Sequence, residues 1–153
     1  MKYLLVIIAF LALFLSCNKS TDSVKVEDLR CEYIENPLGI DAACPRFTWR
    51  IASDVPGINQ KAYRIIAGTD SSEVASGKGN AWESGKIISD KIPAIYTGSG
   101  LFPFTKYYWN LQIQDESGIW SKLSRVASFE TGFMGKANWK GDWITDTYDF
   151  NIK

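Results

Sequence analysis

The chain has 153 residues, of which 46% are hydrophobic and 14% aromatic, so it can form one or two small domains and is too aromatic to be disordered. Its 17 basic and 17 acidic residues give zero net charge, which excludes broad electrostatic binding to nucleic acid. The absence of histidine removes Ser-His-Asp and Cys-His nucleophilic machinery and the commonest zinc ligand.

The first segment has the features of an export signal. Lys2 is followed by an unbroken apolar run, Leu4 to Leu15, which is too short to span a bilayer (about 20 residues) but suits the core of a signal peptide. The ending Phe14-Leu15-Ser16-Cys17 resembles a lipobox, which predicts lipidation of Cys17. The alternative is an ordinary signal peptide with an incidental cysteine.

This leader sets the expected location and the first domain boundaries. We expect a lipoprotein signal helix over residues 1–16 and a polar tether over residues 17–25. Several acyl chains hold a protein stably on a membrane, so the protein should be lipid-anchored in the cell envelope, at the outer membrane. The sequence leaves open whether it faces the periplasm or the cell surface.

Two further cysteines, Cys31 and Cys44, follow the leader. The oxidising compartment that an export signal implies permits a disulfide between them, which would close a short loop. The alternative is a pair of buried free thiols, because cysteine is often a small core residue.

The rest of the chain alternates between apolar and polar residues with the period of β-strands. We predict an all-β, seven-stranded antiparallel sandwich over residues 26–132, with one short helical turn at Ser71 to Ala75 in which Ser71 could cap. The seven runs lie at residues 29–33, 46–51, 63–67, 82–88, 94–97, 107–114 and 126–131.

Two aromatic residues should organise this sandwich. The run Leu101-Phe102-Pro103-Phe104-Thr105-Lys106-Tyr107 matches the L-x-P-x-T-x-Y pattern that leads into strand F of fibronectin type III domains. It predicts a tyrosine corner, in which the Tyr107 hydroxyl binds backbone upstream of it. Trp49 should be the large aromatic residue of the core.

Several motifs in chain order resemble one family. Leu29-Arg30-Cys31-Glu32-Tyr33, Asn36-Pro37-Leu38-Gly39-Ile40-Asp41, Pro45-Arg46-Phe47-Thr48-Trp49, Trp82-Glu83-Ser84-Gly85-Lys86-Ile87, Tyr107-Tyr108-Trp109, Phe129-Glu130-Thr131-Gly132 and Trp139-x-x-x-Trp143-Ile144 form the series. Together they are similar to the N-terminal module of bacterial α-L-rhamnosidases of glycoside hydrolase family 78. The resemblance implies a fibronectin-III or immunoglobulin-like sandwich that precedes a β domain and a catalytic (α/α)₆ barrel.

The resemblance also implies a function for the parent protein. In this family the barrel supplies the two carboxyl groups that release terminal α-L-rhamnose from glycans with inversion, so no catalytic residue maps onto this chain. We therefore expect a non-catalytic accessory domain with no cofactor and no metal, whose glycan contact is made through the parent enzyme. Residues 133–153 should be a linker and the start of a second domain that this chain lacks.

A second function class is sugar binding by the module itself, as a free-standing carbohydrate-binding lipoprotein. Exposed tryptophans stack on sugar rings, and the predicted platforms are Trp82 with Glu83, and Trp120. The alternative is that these tryptophans pack, and that Trp139 and Trp143 dock a following domain. A third class is a pure scaffold, which would leave an exposed apolar face.

Overall fold

The computed structural model describes residues 24–142, so Cys17, the predicted signal peptide and Trp143 lie outside the described residues. Within them no helix is long and apolar enough to cross a membrane. The elements are β1 (Val24–Cys31), β2 (Arg46–Ser53), β3 (Gln60–Gly68), α1 (Ser71–Ala75), β4 (Trp82–Glu83), β5 (Ile87–Ile88), β6 (Ala94–Ile95), β7 (Lys106–Asp115), β8 (Ala127–Glu130) and a 3₁₀ turn at Lys136–Asn138.

The strands form two antiparallel sheets, which confirms the predicted all-β sandwich. One sheet has the order β1-β2-β6, and the other has the order β4-β3-β7-β8 with β5 also paired to β3. The single strand predicted over residues 82–88 is two short strands, because the chain turns at Gly85 with a φ of +64°. β1 begins at Val24, two residues earlier than the predicted start of the sandwich.

The inward faces of β3 and β7 build most of the core. Tyr107, Trp109, Leu111 and Ile113 alternate along β7 and are all buried, as their spacing predicts. Trp49 enters from β2, where its indole N–H donates to Gln60 Oε1 at 3.0 Å and its ring lies 5.2 Å from that of Tyr63. A buried indole N–H needs such an acceptor, so Gln60 is the polar residue that makes this position suitable for tryptophan.

Helix α1 covers the outer face of the larger sheet. Its buried Val74 packs there, and Val74 O accepts a hydrogen bond from Asn110 Nδ2 at 2.9 Å. The capping residue is Asp70 and not the predicted Ser71, because the Asp70 carboxylate accepts from Ser72 N at 2.7 Å and Glu73 N at 3.1 Å. The hydrogen bond from the Ser72 hydroxyl, with these two, lowers the pKa of the Asp70 carboxyl.

A loop at residues 36–41 covers the outer edge of β8. Ile40 N donates to Glu130 O at 2.9 Å, and Asn36 Oδ1 accepts from Ser128 N at 2.8 Å. Asp41 Oδ1 accepts from Met134 N at 2.7 Å, just after the strand. A Cβ at Gly132 would lie 2.8 Å from Asp41 Oδ1 and 2.9 Å from the backbone oxygen of Gly39, so a side chain there would push this loop away. These contacts give a physical reason for both the Asn36-to-Asp41 motif and the glycine that follows Thr131.

Tyr107 forms the corner that leads into β7. Its hydroxyl accepts a hydrogen bond from Phe102 N at 2.9 Å, five residues upstream, while its ring stacks on Phe129 at 5.2 Å. Thr131 Oγ1 donates to Phe102 O at 2.6 Å and accepts from Thr105 N at 2.9 Å. The loop before β7 is thus fixed to the end of β8 by side chains from both strands.

Replacing Tyr107 with phenylalanine should lower the free energy of unfolding by about 1 kcal/mol, because the partly buried hydrogen bond from Phe102 N then lacks its acceptor. The ring stacking on Phe129 is kept, so the effect isolates the hydroxyl. Urea denaturation of the two proteins measures it. The partly buried Tyr108 provides the control, since no hydrogen bond to its hydroxyl is seen among the described contacts and Y108F should be near neutral. Equal stability of Y107F and the unaltered chain would contradict the role of the corner.

Candidate functional site

The structure does not offer Trp82 as a sugar-stacking platform. Its side chain is only 6% exposed, and its ring lies 6.0 Å from Phe47 and 5.1 Å from Tyr96 inside the core. Sugar stacking needs an open ring face, so the prediction for Trp82 is corrected to a packing role. Glu83 is exposed on the same short strand but points to the other side, where its carboxylate lies 3.6 Å from the Arg64 guanidinium.

Trp120 lies on a different part of the chain, in the turn after β7. It is half-buried and forms a bridge with Gln114, and the Lys86 ammonium lies 6.0 Å from its ring centroid. The three residues predicted for sugar binding therefore do not form one open platform, because Trp82 is buried and Glu83 pairs with Arg64. Of the two tryptophans only Trp120 keeps partial exposure, and its binding role stays a prediction.

Several acidic side chains of the sandwich surface are paired with arginine. Glu32 makes a two-point contact with Arg46, at 2.7 Å for the shorter N–O distance, which lowers the pKa of the Glu32 carboxyl. Further ion pairs are Asp28 with Arg30, Glu27 with Arg50 and Glu35 with Arg125. Among residues 24–142 no group of three or more histidine, cysteine, aspartate or glutamate side chains is placed to hold a metal ion.

Cys31 and Cys44 are separate thiols in this structure, which corrects the disulfide alternative. Cys31 points into the core at 1% exposure, whereas Cys44 lies exposed in the loop before β2, so the two side chains face different environments. The alternative of two buried thiols holds for Cys31 alone. Burial, with a smaller contribution from the neighbouring Glu32 charge, raises the pKa of the Cys31 thiol to about 12.

These environments predict unequal thiol reactivity. A thiolate is the reactive form, so with Cys17 replaced by alanine only Cys44 should react with an aromatic disulfide reagent in the native protein, and Cys31 only after unfolding. Burial raises the pKa of the Cys31 thiol from 9.0 to about 12, so the neutral thiol contributes fully to the free energy of unfolding below pH 9.0. That contribution is lost as the pH rises toward about 12. Counting modified thiols by mass before and after denaturation tests this. Labelling of both thiols in the native protein would contradict the burial of Cys31. Labelling of neither thiol after denaturation without reductant would contradict their being free.

The most distinctive surface feature is a row of three aromatic rings at the end of the sandwich where the chain leaves β8. Phe104, Phe133 and Trp139 are 59%, 38% and 45% exposed, and we call them the exit surface. The ring centroids lie 4.9 Å apart for Phe104 and Phe133, and 5.0 Å apart for Phe133 and Trp139. A shallow cavity of about 690 Å³ adjoins the last two, with Asp41 and Lys136 at its rim.

Of these three residues, the sequence predicts a docking role only for Trp139. Phe104 is one of the three variable positions of the L-x-P-x-T-x-Y pattern, and the structure gives it a φ of +50°, which is uncommon for a bulky residue. A large apolar residue at a variable position of a turn was the signal that could have identified it. The sequence places Phe133 only in the linker that begins the 133–153 segment.

Comparisons with known proteins bear on the whole sandwich. A family model described as "Rha78A-like, N-terminal immunoglobulin domain" matches residues 26–135. The chain is 37% identical over 124 residues to an α-L-rhamnosidase of Streptomyces avermitilis, covering 80% of this chain and 12% of that protein. It is 31% identical to an α-L-rhamnosidase of Formosa agariphila, covering 97% of this chain and 16% of that protein.

A solved structure supports the same relationship. The α-L-rhamnosidase from Dictyoglumus thermophilum superposes with a TM-score of 0.76 at 35% identity, over 79% of this chain and 14% of that one. The chain therefore spans 12–16% of the length of these relatives.

Proposed function

This chain belongs to the family of Rha78A-like N-terminal immunoglobulin domains, and from that premise we propose that it serves as the non-catalytic accessory module of an α-L-rhamnosidase. The observation that carries the proposal is that the family match spans residues 26–135, nearly the whole sandwich. The parent protein would be a glycosidase that releases terminal α-L-rhamnose, and the module would reach rhamnose-containing glycans only through it.

The arrangement of carboxylates supports a non-catalytic role. Inverting glycoside hydrolysis needs two carboxyl groups about 6.5–9.5 Å apart on either side of the scissile bond, one held protonated. Here Glu27, Asp28, Glu32 and Glu83 each lie within 4 Å of an arginine. For Glu32 the hydrogen bonds from Arg46 lower the carboxyl pKa, whereas a general acid needs a raised one.

The test replaces the matched stretch of the Streptomyces avermitilis α-L-rhamnosidase with this chain. We expect the chimera to hydrolyse p-nitrophenyl α-L-rhamnoside while this chain alone releases no p-nitrophenol, because the catalytic groups lie outside the module. The enzyme lacking its matched stretch is the control, and it should be less stable than the chimera. Saturable hydrolysis by this chain alone, or a chimera no more stable than the deletion, would overturn the proposal.

We also propose that Cys17 carries the lipid that holds the protein on the outer membrane, as the lipobox-like ending of the leader predicts. In a host with a lipoprotein pathway, a palmitate analogue should label the unaltered protein and fail to label C17A. The matched control is C44A, because Cys44 is exposed and is the alternative acceptor. Label retained by C17A and lost from C44A would place the lipid elsewhere. Digestion of intact cells by added protease then distinguishes the cell surface from the periplasmic face.

A further inference from the structure

We propose that the exit surface docks the domain that follows this module in the same polypeptide. The inference rests on the proposed function, since it takes the parent to be a longer protein of the rhamnosidase type. It adds the contact residues Phe104, Phe133 and Trp139 and the chemistry of the partner, which must present an apolar surface to them.

The exit surface is a contiguous patch and not a set of scattered side chains. Three rings in edge-on and tilted contact expose between 38% and 59% of their surface, and Phe102 on the same loop is 70% exposed. Single exposed apolar residues, such as Ile88 on β5, are ordinary on soluble proteins. Adjacent exposed aromatics are not, and they mark interaction surfaces.

The rings are held in place before any partner binds. Phe104 N donates to Gly132 O at 3.0 Å, which joins the loop before β7 to the segment after β8. Asn138 Nδ2 donates to Phe133 O at 2.6 Å, and Trp139 N donates to Lys136 O at 3.1 Å, closing the 3₁₀ turn. Because the backbone is already ordered, docking on this surface costs little conformational entropy.

The position of the exit surface indicates which domain docks on it. Phe133 and Trp139 lie on the segment by which the chain leaves the sandwich, so the domain reached by that segment is the nearest large body in a protein of the relatives' length. Asp41 and Lys136 also line the adjoining cavity and supply one acidic and one basic group beside the rings. Polar groups beside an apolar centre are usual for an interface. Contacts between domains of one chain commonly bury about 600–1,500 Å². The three rings and their loops can form the apolar centre of a contact of that size.

Hydrogen exchange provides the test, using this full chain alone and the same chain within the Streptomyces avermitilis chimera. Docking should slow amide exchange at residues 102–105 and 132–139 at least tenfold in the chimera relative to the isolated chain. In the double variant F133S/W139S this slowing should be lost. The matched control I88S changes an exposed apolar side chain elsewhere and should retain it.

Three results would overturn the inference. One is equal exchange at these residues in the isolated chain and the chimera, a comparison that does not depend on any variant folding. Another is slowing in the isolated chain that grows with its concentration, which would assign the surface to a second copy. The third is slowing by added L-rhamnose in the isolated chain, which would make it a sugar site. Hydrolysis by the chimera is measured separately, so failure of docking and failure of the proposed function are distinguishable.

Discussion

Replacing Phe47 with alanine should lower the free energy of unfolding by about 3–5 kcal/mol, the largest effect we expect from any single truncation in the sandwich. The Phe47 ring is fully buried, and its centroid lies 4.4 Å from Trp109, 5.8 Å from Phe129, 6.0 Å from Trp82 and 6.5 Å from Tyr96. Alanine would leave a cavity among four rings that are too large to move into it. The whole stability of such a domain is commonly about 5–15 kcal/mol, so F47A should be marginally folded.

Urea denaturation measures this effect, with F47L and F104A as controls. Leucine fills most of the space, so F47L should cost less than about 1.5 kcal/mol. F104A removes an equally large ring from the exposed exit surface and should cost far less than F47A in the isolated chain. If F47A and F104A destabilise the chain equally, the core is not centred on Phe47 as described.

Replacing Gly98 with alanine should cost about 3 kcal/mol, because the added methyl group meets backbone and packed side chains. A Cβ at Gly98 would lie 2.5 Å from Ala81 O, 2.6 Å from Trp82 Cβ and 2.7 Å from Tyr96 Oη. The carbonyl and the buried tryptophan belong to the start of β4, so relief requires moving that strand. The shift in the denaturation midpoint at constant slope gives the value.

The same turn contains its own control. A Cβ at Gly100 has nothing within 4 Å, and no left-handed φ is required there. G100A should therefore lie within about 0.5 kcal/mol of the unaltered chain, or be slightly more stable because alanine restricts the unfolded chain. A G98A protein as stable as G100A would show that the β4 segment can yield.

The sequence predicts regular strands well and exposure poorly. Alternation along β7 places Tyr107, Trp109, Leu111 and Ile113 on one face because a strand has a fixed period of two, and the structure agrees. Trp82 lies in a short strand between glycine-rich turns, with Glu83 beside it, and such a local pattern is typical of a surface position. Its burial depends on Phe47 and Tyr96, which are 35 and 14 residues away, respectively, in the chain.

Local hydrogen bonding explains two smaller differences. Asp70 and Ser71 are both good capping residues, and only the backbone geometry selects Asp70, whose extended φ of −113° lets its carboxylate reach the next turn. The division of residues 82–88 into β4 and β5 follows from Gly85 and from Ser84, whose hydroxyl accepts from Ile65 N at 2.8 Å. The apolar–polar alternation of a strand does not show that a serine hydroxyl, and not a backbone carbonyl, accepts this hydrogen bond.

The exit surface was only partly predictable, because its members come from two separate segments. Phe104 lies before β7, whereas Phe133 and Trp139 lie after β8, and hydrogen bonds between β7 and β8 bring them together. The Tyr107 corner could be predicted because its pattern is contained within seven consecutive residues. A cluster that strand pairing brings together can be predicted only when the order of the strands in the sheet is known.

The cover over β8 has a consequence for when the sandwich can fold. Asn36 binds Ser128, and Asp41 binds Met134, so pairs separated by 92 and 93 positions must meet before the domain closes. Contacts this distant are formed late and slow the folding of β-rich domains. A chain that emerges from a ribosome or a translocation channel with its N-terminus first cannot complete this sandwich until residue 134 has emerged. Until then the larger sheet lacks β8 and the loop over its edge has nothing to cover, so the sandwich stays incomplete although β3 and β7 have already emerged.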